Sequence, residues 1–317
     1  MTLKHREPIE LGEDIHLIDG YDLGLEGRTG TYVLKSTKIT LIETGPSPSV
    51  PRVLKGLEEL SIQPEEVENI ILTHIHLDHA GGAGLLVKEC SNAKVFVHER
   101  GIRHLADPSK LIKGAKMVYG EEFDALFDPI LPIPEEKLIS VREGETLDVG
   151  GNRSLTFLDT PGHAKHHIGI YDSKSQGLFI GDTAGIQYHQ TEDFGLTFYL
   201  PTTSPNQFDP DAMLRSIERF RNMEPRKLFF GHFGETGRPE KAMEQVESWI
   251  PIFVETAEKA HEEGEGVEGV AERLHQTISS YLRDEGIPDD HSVYEILKID
   301  LEVCAMGLLD YLNKRSK

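Results

Sequence analysis

The sequence predicts a layered α/β architecture, α+β in class, with a helical addition at its C-terminal end. Three observations predict it. Short β-branched and leucine runs alternate with helical segments over the first 240 residues, in two halves of similar style. Several of these runs end in a loop supplied with Gly, His or Asp. From about Arg238 the character changes to long Glu/Lys/Ala/Leu stretches that persist to residue 317. The expected division is therefore 1–240 for a strand-bearing domain and 241–317 for a helical extension.

In order along the chain, Ile15-His16-Leu17-Ile18-Asp19, Gly30-Thr31-Tyr32-Val33-Leu34 and Ile39-Thr40-Leu41-Ile42-Glu43 read as strands separated by turn residues. Ser47-Pro48-Ser49-Val50-Pro51 opens a helix to about Leu60, with Leu54, Leu57 and Leu60 on one face. Asn69-Ile70-Ile71-Leu72 is a buried strand, and residues 80–90 a helix behind a His-rich loop. Lys94-Val95-Phe96-Val97-His98 is the next strand. A partly polar helical excursion spans about 101–126, closed by Pro132 and Pro134. In the second half, Ser154-Leu155-Thr156-Phe157-Leu158-Asp159 is a strand ending in Thr160-Pro161-Gly162-His163. Ile168-Gly169-Ile170-Tyr171-Asp172 and Gly177-Leu178-Phe179-Ile180 form a hairpin that ends at Gly181-Asp182. An amphipathic helix over 209–223 precedes the strand Lys227-Leu228-Phe229-Phe230, which delivers Gly231-His232.

In the extension, Met243, Val246, Trp249, Ile250 and Phe253 recur at helical spacing, and Pro251 is expected to kink or restart that helix. A loop is expected over 264–269, then helices over 271–285 and about 292–312. These helices are expected to cap the mouth of the site, to form a homodimer interface, or both. Deletion beyond about residue 255 is then expected to change substrate range or oligomeric state and to leave metal binding intact.

Composition bounds the rest. The net charge of −21, from 54 acidic against 33 basic residues, repels phosphodiester backbones, so nucleic acid is not an expected partner. No apolar run reaches the roughly 20 residues of a membrane span, and Met1-Thr2-Leu3-Lys4-His5-Arg6-Glu7-Pro8 lacks the apolar core of a signal peptide. A cytoplasmic protein acting on a small molecule is expected. Cys90 and Cys304, far apart in helical segments, suit a reducing compartment better than a disulfide.

The chemistry gathers in Thr73-His74-Ile75-His76-Leu77-Asp78-His79, four potential metal ligands within six residues of a strand end. Imidazoles and a carboxylate at such spacing diverge from a tight turn and reach one or two borderline metal ions. His163, Asp182 and His232 share the position at the end of an apolar strand, making seven candidates. No Gly-x-Ser-x-Gly elbow or other covalent nucleophile is present.

His74-Ile75-His76-Leu77-Asp78-His79, Thr160-Pro161-Gly162-His163, Gly181-Asp182 and Gly231-His232 resemble, in order, the ligand motifs of the metallo-β-lactamase superfamily, over about residues 13–250. The resemblance implies an αβ/βα four-layer sandwich with a dinuclear site at one edge of its two sheets. It implies that His74, His76 and His163 hold one metal, that Asp78, His79 and His232 hold the second, and that Asp182 bridges. Asp78 and Asp182 are thereby also the candidate catalytic carboxylates. Glu43 occupies a place where the family usually has Asp, supporting the ligand loop from behind. Two divalent ions, zinc by default but with Fe, Mn, Co or Ni also accepted by such donors, activate a shared water near neutral pH for attack on an electrophilic centre.

The loop after Asp182, with Gln187-Tyr188-His189-Gln190 and Phe194 to Pro201, is expected to line a small, partly apolar pocket. Tyr188 or Tyr199 would donate to a developing oxyanion. The turn and aromatic loop are similar to the lactonase and esterase branch, although the tyrosine that acyl-homoserine lactonases carry three residues after the bridging aspartate is Gly185 here. The expected activity is hydrolysis of small esters and lactones, extending to phosphotriesters. The alternative is a thioester hydrolase like glyoxalase II, against which the acidic C-terminal region speaks. A flavodiiron resemblance fails at His76, where that family has a glutamate, and a non-catalytic metal scaffold fits an intact ligand set poorly.

Overall fold

The computed structural model describes residues 5–315; Met1–Lys4, the start of the polar N-terminal stretch noted above, and Ser316–Lys317 lie outside the described residues. The chain forms two compact units interleaved in sequence. The first takes the described residues as far as Asp159, with His166–Gly181 and Pro225–Gly237; the second takes Thr160–Lys165, Asp182–Glu224 and the residues from Arg238 onwards.

The first unit opens with β1 (Ile9–Gly12), β2 (Ile15–Asp19), β3 (Gly30–Leu34), β4 (Ile39–Ile42), α1 (Val50–Glu59), β5 (Val67–Ile71), α2 (Leu77–Ala80) and α3 (Ala83–Glu89). It continues with β6 (Lys94–His98), α4 (Ile102–Ala106), α5 (Ser109–Tyr119), α6 (Phe123–Phe127), β7 (Leu138–Val141), β8 (Thr146–Gly150), β9 (Arg153–Asp159), β10 (Ile168–Asp172) and β11 (Gly177–Gly181). The second unit supplies β12 (Ile186–Gln187), β13 (Tyr199–Leu200) and α7 (Pro210–Asn222). After β14 (Lys227–Phe230) and β15 (Glu235–Thr236) of the first unit, it adds α8 (Pro239–Glu262), α9 (Val267–Asp284) and α10 (Val293–Arg315).

Seven strands form one sheet in sequence order, β1 to β7. The pairs from β1 to β4 are antiparallel hairpins, whereas β4 to β7 run parallel. A parallel neighbour requires a crossover, and α1, α3 and then α4–α6 provide the three. The second sheet has the order β15-β14-β11-β10-β9-β8, with β11 and β14 parallel. Alternation along β3 shows how the layers are specified: Tyr32 and Leu34 enter the core between the sheets, whereas Val33 points to the face covered by Val53 and Leu57 of α1 and Leu86 of α3. Between the sheets, Tyr32 meets Phe179 and Phe229 edge-on at 5.1 and 5.6 Å, and those two rings stack at 4.4 Å.

The strands expected at 15–19, 30–34, 94–98, 168–172 and 227–230 form with those bounds. Sequence reasoning missed β1, β7, β8 and β15, which are short and, apart from a few positions, half or fully exposed, and the buried β12 and β13, whose two residues each are too few to show a pattern. The helix does not restart at Pro251: α8 is one helix from Pro239 to Glu262. Pro251 lies on the exposed side of α8. The Glu247 carbonyl it deprives of a partner, one turn back, therefore faces the solvent side. The expected loop at 264–269 is shorter, since α9 starts at Val267. Among the described residues no helix is long and apolar enough to cross a membrane.

Candidate metal centre

β5 is the strand that presents the His-rich loop. It lies between parallel partners β4 and β6, with Ile70 and Ile71 fully buried, and Leu72 still donates to the Phe96 carbonyl at 3.0 Å. The chain then leaves the ladder. Thr73 is pinned on both sides, its N–H donating to Glu43 Oε1 at 3.1 Å and its carbonyl accepting from Ile168 N at 2.8 Å. α2 is a single turn entered at His76, whose carbonyl accepts from Ala80 N at 2.8 Å, so His76, Asp78 and His79 fan out from one turn.

Within the first unit Asp78, His79 and His232 each offer a ligand atom, all within 4.8 Å of one another. His79 Nε2 is 3.3 Å and His232 Nε2 is 3.7 Å from Asp78 Oδ2. Bonds of about 2.0–2.2 Å in a tetrahedral arrangement set donor atoms ~3.4 Å apart. The spacing and the N,N,O chemistry therefore fit a divalent metal ion. His79 is fully buried while a quarter of the Asp78 side chain is exposed. The His74 ring lies 4.7 Å from that of His76 and 4.2 Å from that of His79.

The supports are close at hand. Glu43, buried and at the left-handed φ of 65°, reaches beyond its bond to Thr73 and sets Oε2 3.5 Å from His79 Nδ1. The longer side chain at this position thus spans both Thr73 and His79. Thr44 holds the His79 carbonyl by its N–H and its hydroxyl, at 3.0 and 2.8 Å. His74 Nδ1 is 3.0 Å from the Thr73 hydroxyl. His232 stands in the turn after β14, where Gly231 N donates to Gly181 O and the Tyr32 hydroxyl lies 2.7 Å from Phe230 O and 2.6 Å from Gly234 O.

In the second unit, Thr160-Pro161-Gly162-His163 is locked by its glycine. Gly162 has φ 142° and a Cβ there would lie 2.3 Å from Met213 Cα, so only glycine lets the turn pass α7. Asp209 N donates to Gly162 O and Ser216 Oγ to Pro161 O, at 2.8 and 2.6 Å. His163 Nδ1 is 3.2 Å from the Thr202 carbonyl, which can only accept, so the ring proton sits on Nδ1. Nε2 is 3.7 Å from Asp182 Oδ2. Nε2 and the Asp182 carboxylate are both donor atoms that a shared cation would accept. The structure thus places His74, His76, Asp78, His79 and His232 in the first unit and His163, Asp182 and Tyr188 in the second.

The aromatic loop is packed, not splayed. The Tyr188 hydroxyl donates to Asp300 Oδ2 at 2.8 Å, and Tyr188 and Tyr199 are both buried. Phe198 stacks on Tyr281 at 5.6 Å and meets Trp249 edge-on at 6.4 Å.

Two residues escaped sequence reasoning. His166 is buried, its ring parallel to that of His74 at 6.4 Å and edge-on to His76 at 5.7 Å. Its signal was its place three residues after His163. Asp22, in a turn where Tyr21 and Leu23 take left-handed φ values of 48° and 56°, has its pKa pushed up to about 6 by burial. Arg28, 3.9 Å away, opposes that shift, whereas the Asp78 charge adds to it. No local pattern marks it. Burial pushes the thiols of Cys90 and Cys304 up to about 12, so both behave as small hydrophobes.

The description "Metallo-beta-lactamase superfamily" matches residues 25–232, about two thirds of the chain. The chain belongs to the metallo-β-lactamase superfamily, as a hydrolase of αβ/βα sandwich fold with C-terminal helices. It is 29% identical over 207 residues to the metallo-beta-lactamase fold-containing protein ST1585 of Sulfurisphaera tokodaii, covering 64% of this chain and 72% of that one. The solved structure of ST1585 superposes with a TM-score of 0.65 at 24% identity, covering 94% of this chain and 99% of that chain. The N-acyl homoserine lactonase of Bacillus thuringiensis is 27% identical over 57% of this chain and 62% of its own length. The hydroxyacylglutathione hydrolase of Serratia proteamaculans is 30% identical over 41% of this chain and 38% of its own length.

Proposed function

We propose that the chain is a metal-dependent hydrolase of small esters and lactones, promiscuous towards phosphotriesters. The observation that carries it is the convergence of Asp78, His79 and His232 at metal-ligand spacing. By the order of the family motifs, His74, His76 and His163 would hold one ion and Asp78, His79 and His232 a second, with Asp182 between them and zinc as the default metal. Such ions supply Lewis acidity and lower the pKa of water towards neutrality. The chain's own residues do the rest. Glu43 and the Thr202 carbonyl would orient imidazoles, and partly exposed Asp78 would pass a proton to solvent. Tyr188 would reach an oxyanion only by releasing Asp300.

The lactonase relative supports this substrate class, and so does the electrostatics of the extension. A thioester hydrolase of the glyoxalase II kind would need cations for the carboxylates of glutathione. Four of the extension's cationic side chains are held by carboxylates, Arg273 by Glu263 and Glu265, Arg283 by Asp289, Lys314 by Asp310 and Arg315 by Glu258. A small-molecule substrate, no nucleic acid, a cytoplasmic setting and pairing of two chains through the C-terminal helices complete the proposal. The test is a rate panel on metal-reconstituted protein: aliphatic lactones, aryl esters, a phosphotriester and S-lactoylglutathione. Higher kcat/KM on lactones or esters is expected. Preference for the glutathione thioester would overturn the substrate class.

A further inference from the structure

We propose that the C-terminal helix α10 positions the imidazole of His163, and that it acts through Gly307. The functional meaning rests on the metal-ligand reading of His163, whereas the geometry rests on contacts within the second unit.

Asp300, Cys304 and Gly307 recur at i, i+4 and i+7, and all are buried, so they form one inward face of α10. Asp300 accepts from the Tyr188 hydroxyl. The Cys304 carbonyl accepts from Thr203 Oγ1 at 2.9 Å, and Cys304 Sγ lies 4.0 Å from Pro201 O. At Gly307 the approach is closest: a Cβ there would lie 1.5 Å from Thr203 O and 2.7 Å from the Ser204 carbonyl carbon. Further along, Lys314 donates to Asn206 O. Residues 201–206 are therefore laid against α10 along their length. Thr202, in the middle of that strap, supplies the carbonyl that receives His163 Nδ1.

Glycine weakens a helix interior relative to alanine. Here it stands where any side chain would collide with a backbone oxygen. The strap has no regular ladder of its own, since β13 ends at Leu200 and α7 begins at Pro210. Its carbonyls are therefore placed by what they pack on. An imidazole that ligates through Nε2 needs its proton on Nδ1 and its plane fixed. The Thr202 carbonyl does both, and α10 places that carbonyl. This reverses the expectation that truncation beyond about residue 255 leaves metal binding intact.

The test compares the full-length chain with Gly307→Ala and Thr203→Val. Gly266→Ala serves as control, because a Cβ at Gly266 meets nothing within 4 Å. The first readout is the ¹⁵N spectrum of the His163 imidazole in metal-stripped protein at pH about 9, above the imidazole titration range, assigned by its loss in His163→Gln. The wild type and the control should show the Nδ1–H tautomer, and the two variants a mixture. The second readout is the rate of zinc loss to a chelator, expected to rise about 10–100-fold in the variants. Thr203→Val decides the matter should Gly307→Ala fail to fold. A His163 that keeps the Nδ1–H tautomer in the folded variants overturns the proposal. Wild-type protein that holds no zinc overturns the metal reading instead, while the tautomer comparison still decides the positioning.

Discussion

The candidate ligands of the two units are held in different ways. In the first unit, His74, His76, Asp78 and His79 follow directly on a buried parallel strand, and their supports are neighbours of that strand: Thr73 beside His74, and Glu43 next to the end of β4. In the second, His163 depends on a carbonyl 39 residues away, and the strap that bears it is bonded to a helix about a hundred residues further on. The difference teaches where order comes from. A sheet places its end loops through its own ladder, whereas an irregular segment takes its geometry from whatever packs on it.

The strongest way to break the comparison is to remove one ligand from each unit. His79→Ala and Asp182→Asn should each lower kcat/KM by about 10³-fold or more, corresponding to about 4 kcal/mol of transition-state stabilisation, with circular dichroism unchanged. Full activity in either variant would sink the ligand assignment. Next in size is Glu43→Ala, expected to weaken metal affinity by about 10–100-fold in a competition titration. Glu43→Gln, which keeps an acceptor for Thr73 N, should lose less; an equal loss would mean that the His79 contact matters more. Tyr188→Phe should cost less than about tenfold in kcat, because the hydroxyl is already committed to Asp300. A loss of 10² or more would place Tyr188 at the oxyanion. The smallest effect is a difference in exposure. Both thiols should resist alkylation in the folded chain, and Gly307→Ala should make Cys304 reactive while Cys90, in the other unit, stays protected. Equal reactivity in that variant would show that the units do not loosen separately.

Much of the candidate site was legible because its signals are local. His74 to His79 sit at consecutive positions after an apolar strand, and Gly162, Gly181 and Gly231 mark other strand ends. The supports were less legible because they are not local. Nothing in Thr202 or Gly307 announces a link to His163; only the close packing of strap and helix does. Asp22 is hidden for the same reason, its altered titration arising from burial and from charges distant in sequence. Pro251 taught a different lesson. A helix breaker is tolerated where its lost hydrogen bond faces solvent, and exposure cannot be deduced from the residue alone.

Tyr32 gives the turn that carries His232 an unusual clock. Its ring is clasped by Phe179 and Phe229 between the sheets, and its hydroxyl lies within hydrogen-bond reach of the carbonyls at both ends of the turn, Phe230 and Gly234. An exposed turn of this length ordinarily rearranges within nanoseconds to microseconds, whereas residues 230–233 are buried. With Tyr32 held this way, the turn is expected to open only together with the core around it, and a metal ion held by His232 should then exchange at the pace of core opening. Tyr32→Phe would release the turn with the aromatic stack retained, setting the rate of exchange apart from the stability of the fold.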